Sequence, residues 1–296
     1  MLSILIVSYN YSLYTLVKRL QIECVSLGVE FEILCSDDNS NNHYKNESIE
    51  QLEHCHYFIQ PINIGRSLSR NFLINKAQFD SIIMLDSDTL PAQPHFIKNY
   101  LDLLVNQNKT FINGGLQYHQ DGIPKNEMLR WVYGKSREAI SASVRNLNPY
   151  SYALCSNICF SKKSINNIRF NNKIRDYGYE DLVFYKDLQK NQIDVFHVDN
   201  PVYHLKLELS QVFLNKTKIS IENLNKLWKS GVIVKRDTSL LKTFYLINFF
   251  YLQRITTWLF LKTEGFLLKN LLSEKPSVLL FDLYKLGYFC SLQTSK

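Results

Sequence analysis

Asp86 and Asp88 stand one residue apart at the close of the run SIIMLDSDTL (81–90). An apolar stretch that ends on two carboxylates reads as a buried strand delivering acid to a sheet edge. In an open α/β sheet, ligands bind outside the carboxyl ends of the strands. Two oxygen donors there suit a hard divalent cation, and such a cation can hold phosphate. An Asp at a strand-to-turn junction also has a purely local use, because its side chain bonds nearby backbone. The rest of the chain has to decide between the two.

Other polar clusters recur: Tyr9-Asn10, Asp37-Asp38-Asn39-Ser40 and Glu180-Asp181, with His204 further on. Each has a bland alternative. The Asp37–Ser40 group could be an Asx-turn. Glu180 and Asp181 could serve only the first turn of a helix, where carboxylates are favoured. His204 could be structural, and His197 competes with it as a ligand. Asn157 could face a ligand or be a satisfied buried amide. Trp131 and Tyr133 could stack on a ligand ring or fill a core.

The elements that must position these groups follow from apolar spacing. LSILIVS (2–8), FEILCS (31–36), HYFIQ (56–60) and SIIMLD (81–86) read as strands. Residues 13–27 and 66–78 show helical spacing. This β-α-β alternation predicts a mostly parallel sheet with helices on both faces. The ends of its strands should share one rim, so the first three polar clusters should converge. Beyond Asp88 the alternation loosens. A helix is expected after Pro91 and Pro94 to about Val105, strands over 110–118, 151–161 and 193–198, and a helix over 182–190. Residues 127–145 give no clear pattern, and helices are expected from about 208 to the end.

The set resembles the family-2 glycosyltransferases of the GT-A fold. The resemblance rests on ILIVSYN (4–10), EILCSDDNS (32–40), NIGRSLSRN (63–71), IMLDSDT (83–89), GYEDLVF (178–184) and NPVYH (200–204). It covers about residues 1–206. It implies a GT-A, Rossmann-like sheet flanked by helices (1–206) with a C-terminal helical extension (207–296). It implies that Val7 and Tyr9 meet the nucleotide base, that Asp38 bonds the uracil imide of a UDP donor, and that Asp37 orients that loop. Arg70 would lie near the donor. Asp86, with Ser87 beside it, would sit at the sugar or ribose, while Asp88 and His204 would hold Mn²⁺ or Mg²⁺. Asp181 would be the catalytic base and Glu180 its supporting neighbour. The implied activity is inverting transfer of a sugar from a nucleotide-sugar donor to a glycan or lipid-linked acceptor, in surface polysaccharide or glycolipid assembly. Two departures stand out. Val7-Ser8 replaces the usual Thr, and Asn39 replaces the usual Gly. No QxxRW-type motif appears, which argues against a processive polymerase.

Two rivals remain on the residues alone. A nucleotidyltransferase should carry a Gly-rich loop after its first strand, where this chain has SYNYS. A non-catalytic sugar-nucleotide-binding subunit would have no need to keep Asp88, Asp181 and His204 together.

At 296 residues with 46% hydrophobic content, the chain can bury a large core. Its net charge of +7 suits an anionic small molecule or membrane surface. No long basic block or nucleic-acid motif is present, so no nucleic-acid partner is expected. The six cysteines form no CxxC pair, and reduced thiols in a cytoplasmic setting are expected. With the first strand beginning almost at Met1, no signal peptide is expected. The aromatic, basic segment 238–270 is interrupted by Asn248, Gln253 and Arg254, so it is not read as a membrane span. It is either packed helices or a peripheral face on the inner membrane surface. Oligomeric state is not legible.

Overall fold

The computed structural model describes residues 1–42 and 44–294. Within these, the chain forms two compact units. The first comprises Met1–Tyr118, Glu138–Arg175 and Glu180–Lys206. The second comprises His119–Arg137, Asp176–Tyr179 and the chain from Leu207 onward.

The first unit is built on a seven-stranded sheet. Its strands are β1 (Leu2–Ser8), β2 (Phe31–Asp37), β3 (Cys55–Ile59), β4 (Ser81–Asp86), β6 (Phe111–Asn113), β8 (Asn157–Ser161) and β9 (Val195–His197). Their spatial order is β3-β2-β1-β4-β8-β6-β9. β3, β2, β1 and β4 run parallel, and β8 is antiparallel to both β4 and β6. A second, three-stranded sheet joins β5 (Thr89–Pro91), β10 (Val202–His204) and β7 (Leu116–Gln117).

The continuous apolar runs of the central strands follow from burial on both faces. Alternate side chains of β1 enter different cores, as the two-residue period of a strand requires. Leu2, Ile4 and Ile6 pack on one side with Leu16, Val17 and Leu20 of helix α1 (Tyr14–Leu27). Leu5 packs on the other side with Leu73 and Ile74 of helix α2 (Arg66–Lys76). Phe184 and Leu188 of helix α6 (Glu180–Lys190) share that second core.

Register aligns the strand tips. Ser8 pairs with Asp37, and Val7 pairs with Asp86. The first three polar clusters therefore meet at one rim. Because β8 runs antiparallel, its N-terminal end arrives at this same rim, with Leu85 opposite Asn157.

Several local expectations are corrected. The strand expected over 110–118 is two short strands, β6 and β7, in different sheets. Gly114 and Gly115 make the break. A Cβ on Gly114 would meet the Tyr100 hydroxyl at 2.1 Å and the Asn200 carbonyl at 2.4 Å, so no side chain fits there. The strand expected over 151–161 forms only from Asn157. The helix expected at 182 begins at Glu180, and α2 ends at Lys76. After Pro94 the expected helix is present and runs to Asn106, as α3 (Phe96–Leu101) followed without a break by a π-helical stretch over Asp102–Asn106. The unreadable stretch 127–145 holds helices α4 (Met128–Arg137) and α5 (Ala142–Arg145).

The second unit is helical. It contains α4, α7 (Ser210–Lys229), α8 (Ser239–Phe249), α9 (Gln253–Leu271) and α10 (Val278–Thr294). Leu129, Phe213, Leu214, Phe260, Leu267, Leu271, Phe281 and Tyr284 form its core. Among the described residues, no helix is long and apolar enough to cross a membrane. All six cysteines are buried and unbridged. Burial pushes the Cys24 and Cys55 thiols up to about 12, which makes them poor nucleophiles.

Gly114→Ala should lower stability by about 1–3 kcal/mol through overpacking. Urea unfolding followed by circular dichroism measures it, and an unchanged midpoint would show that the close approach at Gly114 is not a constraint.

Candidate active site

The loops after β1 and β2 are locked together. The Asn10 N–H donates to Ser40 Oγ at 2.7 Å, and Asn10 Oδ1 accepts the Asn41 N–H at 3.1 Å. Asn10 and Asn39 both adopt the left-handed backbone that asparagine tolerates, with φ of 52° and 61°. Asp37 accepts the Ser40 N–H at 2.6 Å on one oxygen and the Tyr57 hydroxyl on the other. Burial, with the bond to Asp37 adding to it, pushes the Tyr57 phenol well above its usual range. Asp37 thus braces the loop.

Asp38 is also occupied. Its two carboxylate oxygens accept the Ile64 N–H at 2.7 Å and the Gly65 N–H at 2.9 Å. Its carbonyl accepts the Asn63 amide at 3.0 Å. Asp38 therefore anchors the segment that launches α2, with Gly65 at φ +85°. Any contact with a nucleotide base must use its remaining lone pairs. Val7 is half-buried beside this rim, and the Tyr9 ring is exposed and open to stacking.

The centre of the site is Arg70, a guanidinium only 1% exposed. One nitrogen donates to Asp86 Oδ1 at 2.9 Å and another to Asp181 Oδ1 at 2.6 Å. The other Asp181 oxygen accepts the Cys155 N–H at 2.9 Å. Arg70 lies over the Phe170 ring, 4.9 Å from its centroid, and Phe170 stacks on Phe184 at 4.2 Å. Asp181 and Phe184 are three residues apart on α6 and so share a face. One helix thereby supplies both the counter-charge and the aromatic support.

Arg66, one turn before Arg70, reaches Glu180 at 3.5 Å and Asp86 at 4.0 Å. Burial works to raise the Asp86 carboxyl, but Arg66 and Arg70 together hold it well below the usual carboxylate range. Burial also lowers Arg70, yet Asp181 and Asp86 outweigh it and keep the guanidinium firmly charged. Glu180 goes the other way. Burial, then the neighbouring Asp181, raise its carboxyl. Its Oε2 has no hydrogen-bond partner among the described residues.

Asp88 lies just past the tip of β4. Pairing of β10 with β5 sets His204 opposite Thr89, and His204 Nε2 comes within 3.6 Å of Asp88 Oδ2. Tyr118 stacks on the imidazole at 5.6 Å. Beside them opens a cleft of about 460 Å³, bounded by Asn10, Tyr11, Ser87, Thr89 and Lys206 among others. Burial, then Asp88, raise the Tyr11 phenol. Among the described residues no three His, Cys, Asp or Glu side chains gather as a closed metal cage. A carboxylate and an imidazole side by side fit Mn²⁺ or Mg²⁺ that takes its other ligands from phosphate and water.

Other candidates resolve to structural roles. The Asn157 amide is spent on the Gly115 and Asn200 carbonyls and the Tyr100 hydroxyl. His197 lies between Arg145 and the Pro149 carbonyl, at 2.8 and 2.9 Å, and burial first of all lowers it to about 4. Within the second unit, Tyr133 packs on Phe213 and Phe281, and Trp131 bonds the His119 carbonyl. Sequence reasoning missed Arg66, the Cys155 N–H and Lys206. Arg66 had a signal, since RSLSR puts two guanidinium groups four residues apart on one helix face.

The family model for glycosyl transferase family 2 matches residues 3–168. The chain belongs to that family. Glu180, Asp181 and His204 lie beyond the matched span. No curated protein matches by sequence. Among solved structures, residues 1–349 of S. aureus TarS are 15% identical with a TM-score of 0.52, covering 100% of this chain and 92% of that one. Residues 1–349 of TarS in complex with UDP-GlcNAc give 16% identity and the same TM-score, covering 99% and 91%. The mannosyltransferase PcManGT of Pyrobaculum calidifontis, in complex with GDP-Man and Mn²⁺, is 12% identical at a TM-score of 0.52, covering 76% and 63%. Against a longer TarS chain, this protein spans 43% of that chain's length. At such identities these likenesses establish the GT-A glycosyltransferase fold.

Arg70→Met should cost about 3–5 kcal/mol, because it strands two partly buried carboxylates. The pH dependence separates two neighbours. Asp86 is depressed in the folded state, so its stabilisation is complete above the ordinary carboxylate range, about 3.9, and is lost as pH falls toward its folded value. Glu180 is raised, so its ionisation opposes folding as pH rises through its folded value. Glu180→Gln should therefore raise the urea midpoint at pH 8 and leave it unchanged at pH 4. An equal effect at both pH values would contradict this arrangement.

Proposed function

We propose that this family-2 chain is a metal-dependent inverting glycosyltransferase that moves a sugar from a nucleotide-sugar donor, UDP-linked, to a hydroxyl of a glycan or lipid-linked acceptor. The observation that carries this reading is the Arg70 bridge. It holds Asp86, which this reading places on the donor side, and Asp181, which this reading makes the base, at one guanidinium. The donor class is supported by the UDP-GlcNAc and GDP-Man that accompany TarS and PcManGT. The choice of UDP rests on Asp38 and on the TarS complex.

In this mechanism Tyr9 stacks on the base, and the diphosphate lies along the cleft past Ser87 toward Lys206. Asp88 and His204 would hold the divalent cation, which would supply neutralising charge for the departing diphosphate. Asp86 positions the sugar hydroxyls. Arg70 and the Cys155 N–H fix where the Asp181 oxygens point, leaving lone pairs on each for the acceptor. The acceptor oxygen forms its bond to the anomeric carbon as the carbon–oxygen bond to the diphosphate breaks. The nucleoside diphosphate leaves with the bonding electrons, and Asp181 takes the acceptor proton. Attack opposite the leaving group inverts the anomeric centre, through an oxocarbenium-like transition state. Glu180 supports Asp181 from the neighbouring position. Assembly of surface polysaccharide or glycolipid on the cytoplasmic side is the setting this activity fits best.

The test is release of UDP from UDP-sugars with Mn²⁺ and a panel of acceptors. Asp181→Asn should lower turnover about 10²–10⁴-fold while the donor still raises the melting temperature. His204→Ala and Asp88→Asn should abolish the Mn²⁺-dependent part of that thermal shift. Full turnover by Asp181→Asn would remove it as the base, and equal shifts with and without Mn²⁺ in the wild type would remove the metal.

A further inference from the structure

Helix α9 is apolar on both of its long sides. Thr257, Phe260, Leu267 and Leu271 face the core of the second unit. On the opposite side stand Ile255, Trp258, Leu259 and Phe266, at a spacing that puts them on one outward face. Trp258 is 59% exposed and Phe266 67%. The corner that leads into the helix adds Phe249 at 74% and Tyr251 at 91%. Scattered exposed apolar groups are ordinary, but a contiguous helix face with an aromatic corner marks an interaction surface.

Charge decides what it meets. Lys262 and Lys269 lie on the same outward face as Trp258 and Phe266. From Ser239 to Leu271 the chain carries Lys242, Arg254, Lys262 and Lys269 against one acidic residue, Glu264. Glu264 turns to Lys218 of α7, 3.8 Å away. A second copy placed on this face would set these lysines against the same face, which carries no carboxylate of its own to meet them. An anionic bilayer supplies the missing charge. Aromatic rings enter the headgroup layer while lysine stems lie along it with their ammonium groups raised.

We propose that the outer face of α9, with the Phe249–Leu252 corner, is a docking surface for an anionic lipid bilayer, on which the protein lies peripherally. No helix needs to span. The proposal is independent of the donor chemistry, and its test reads attachment without turnover.

The experiment is co-sedimentation of the full chain with vesicles of phosphatidylcholine containing phosphatidylglycerol, against phosphatidylcholine alone. Binding should require phosphatidylglycerol and weaken as salt is raised. Lys262→Gln with Lys269→Gln should weaken it roughly thirtyfold, and Trp258→Asp with Phe266→Asp should abolish it. Both pairs should keep the wild-type melting transition, since these side chains point outward. The emission of Trp258, read as the difference between wild type and Trp258→Phe, should shift to the blue on phosphatidylglycerol vesicles. Equal sedimentation of wild type and either pair, or none on anionic vesicles, would overturn the proposal. So would a dimer in sedimentation velocity that Phe266→Asp dissolves.

Discussion

A buried guanidinium is the constraint around which the first unit is organised. Arg70 cannot leave water unless its charge is matched and its donors are used. It is matched twice, by Asp86 at the tip of β4 and by Asp181 in the first turn of α6. Those two carboxylates come from separate segments of the unit, one before residue 118 and one after residue 180. One guanidinium therefore sets a sheet tip and a helix start in fixed relation. The aromatic pair Phe170–Phe184 gives the cation a surface to rest on and ties it to the same helix.

The cost of this arrangement falls on Glu180. Three carboxylates crowd around two guanidinium groups, and the one with the poorest pairing is raised by burial. Asp86, touched by both Arg66 and Arg70, is driven the opposite way. Neighbouring acids whose environments push them apart are a usual mark of a site that handles protons. The helix start adds to this, because the first turn of α6 places its unpaired N–H groups beside negative charge.

The two sheets divide the work. The large, mostly parallel sheet lines up the tips of β1, β2 and β4, a consequence of strand register and little else. The small sheet imports His204 from more than a hundred residues away by pairing β10 with β5. Its few hydrogen bonds suffice because the Leu205 N–H also bonds the Asp88 carbonyl at 2.8 Å. The closeness of Asp88 and His204 thus arises from backbone pairing, with the side chains following.

The sequence by itself determined β1 to β4, the parallel order implied by their alternation with helices, and the acids that end β2 and β4. Those properties are local: apolar runs make buried strands, and acids collect where strands stop. The helical spacing of Arg66 and Arg70 was also there to read, although nothing in it singled out Arg66 as part of the site. Tertiary structure alone decided the partners. Nothing near Asp38 announces that its carboxylate goes to the Ile64 and Gly65 N–H groups, and nothing near Asn157 announces three buried partners. His204 and His197 are alike in sequence, yet one stands beside Asp88 and the other is closed in by Arg145 and Pro149. Segment 238–270 read either as packed helices or as a membrane face, and only packing decided which side of α9 points outward, since a helix apolar on two sides does not reveal which one its neighbours will cover. Side-chain pairing depends on register and packing between distant segments, and local pattern carries no record of either.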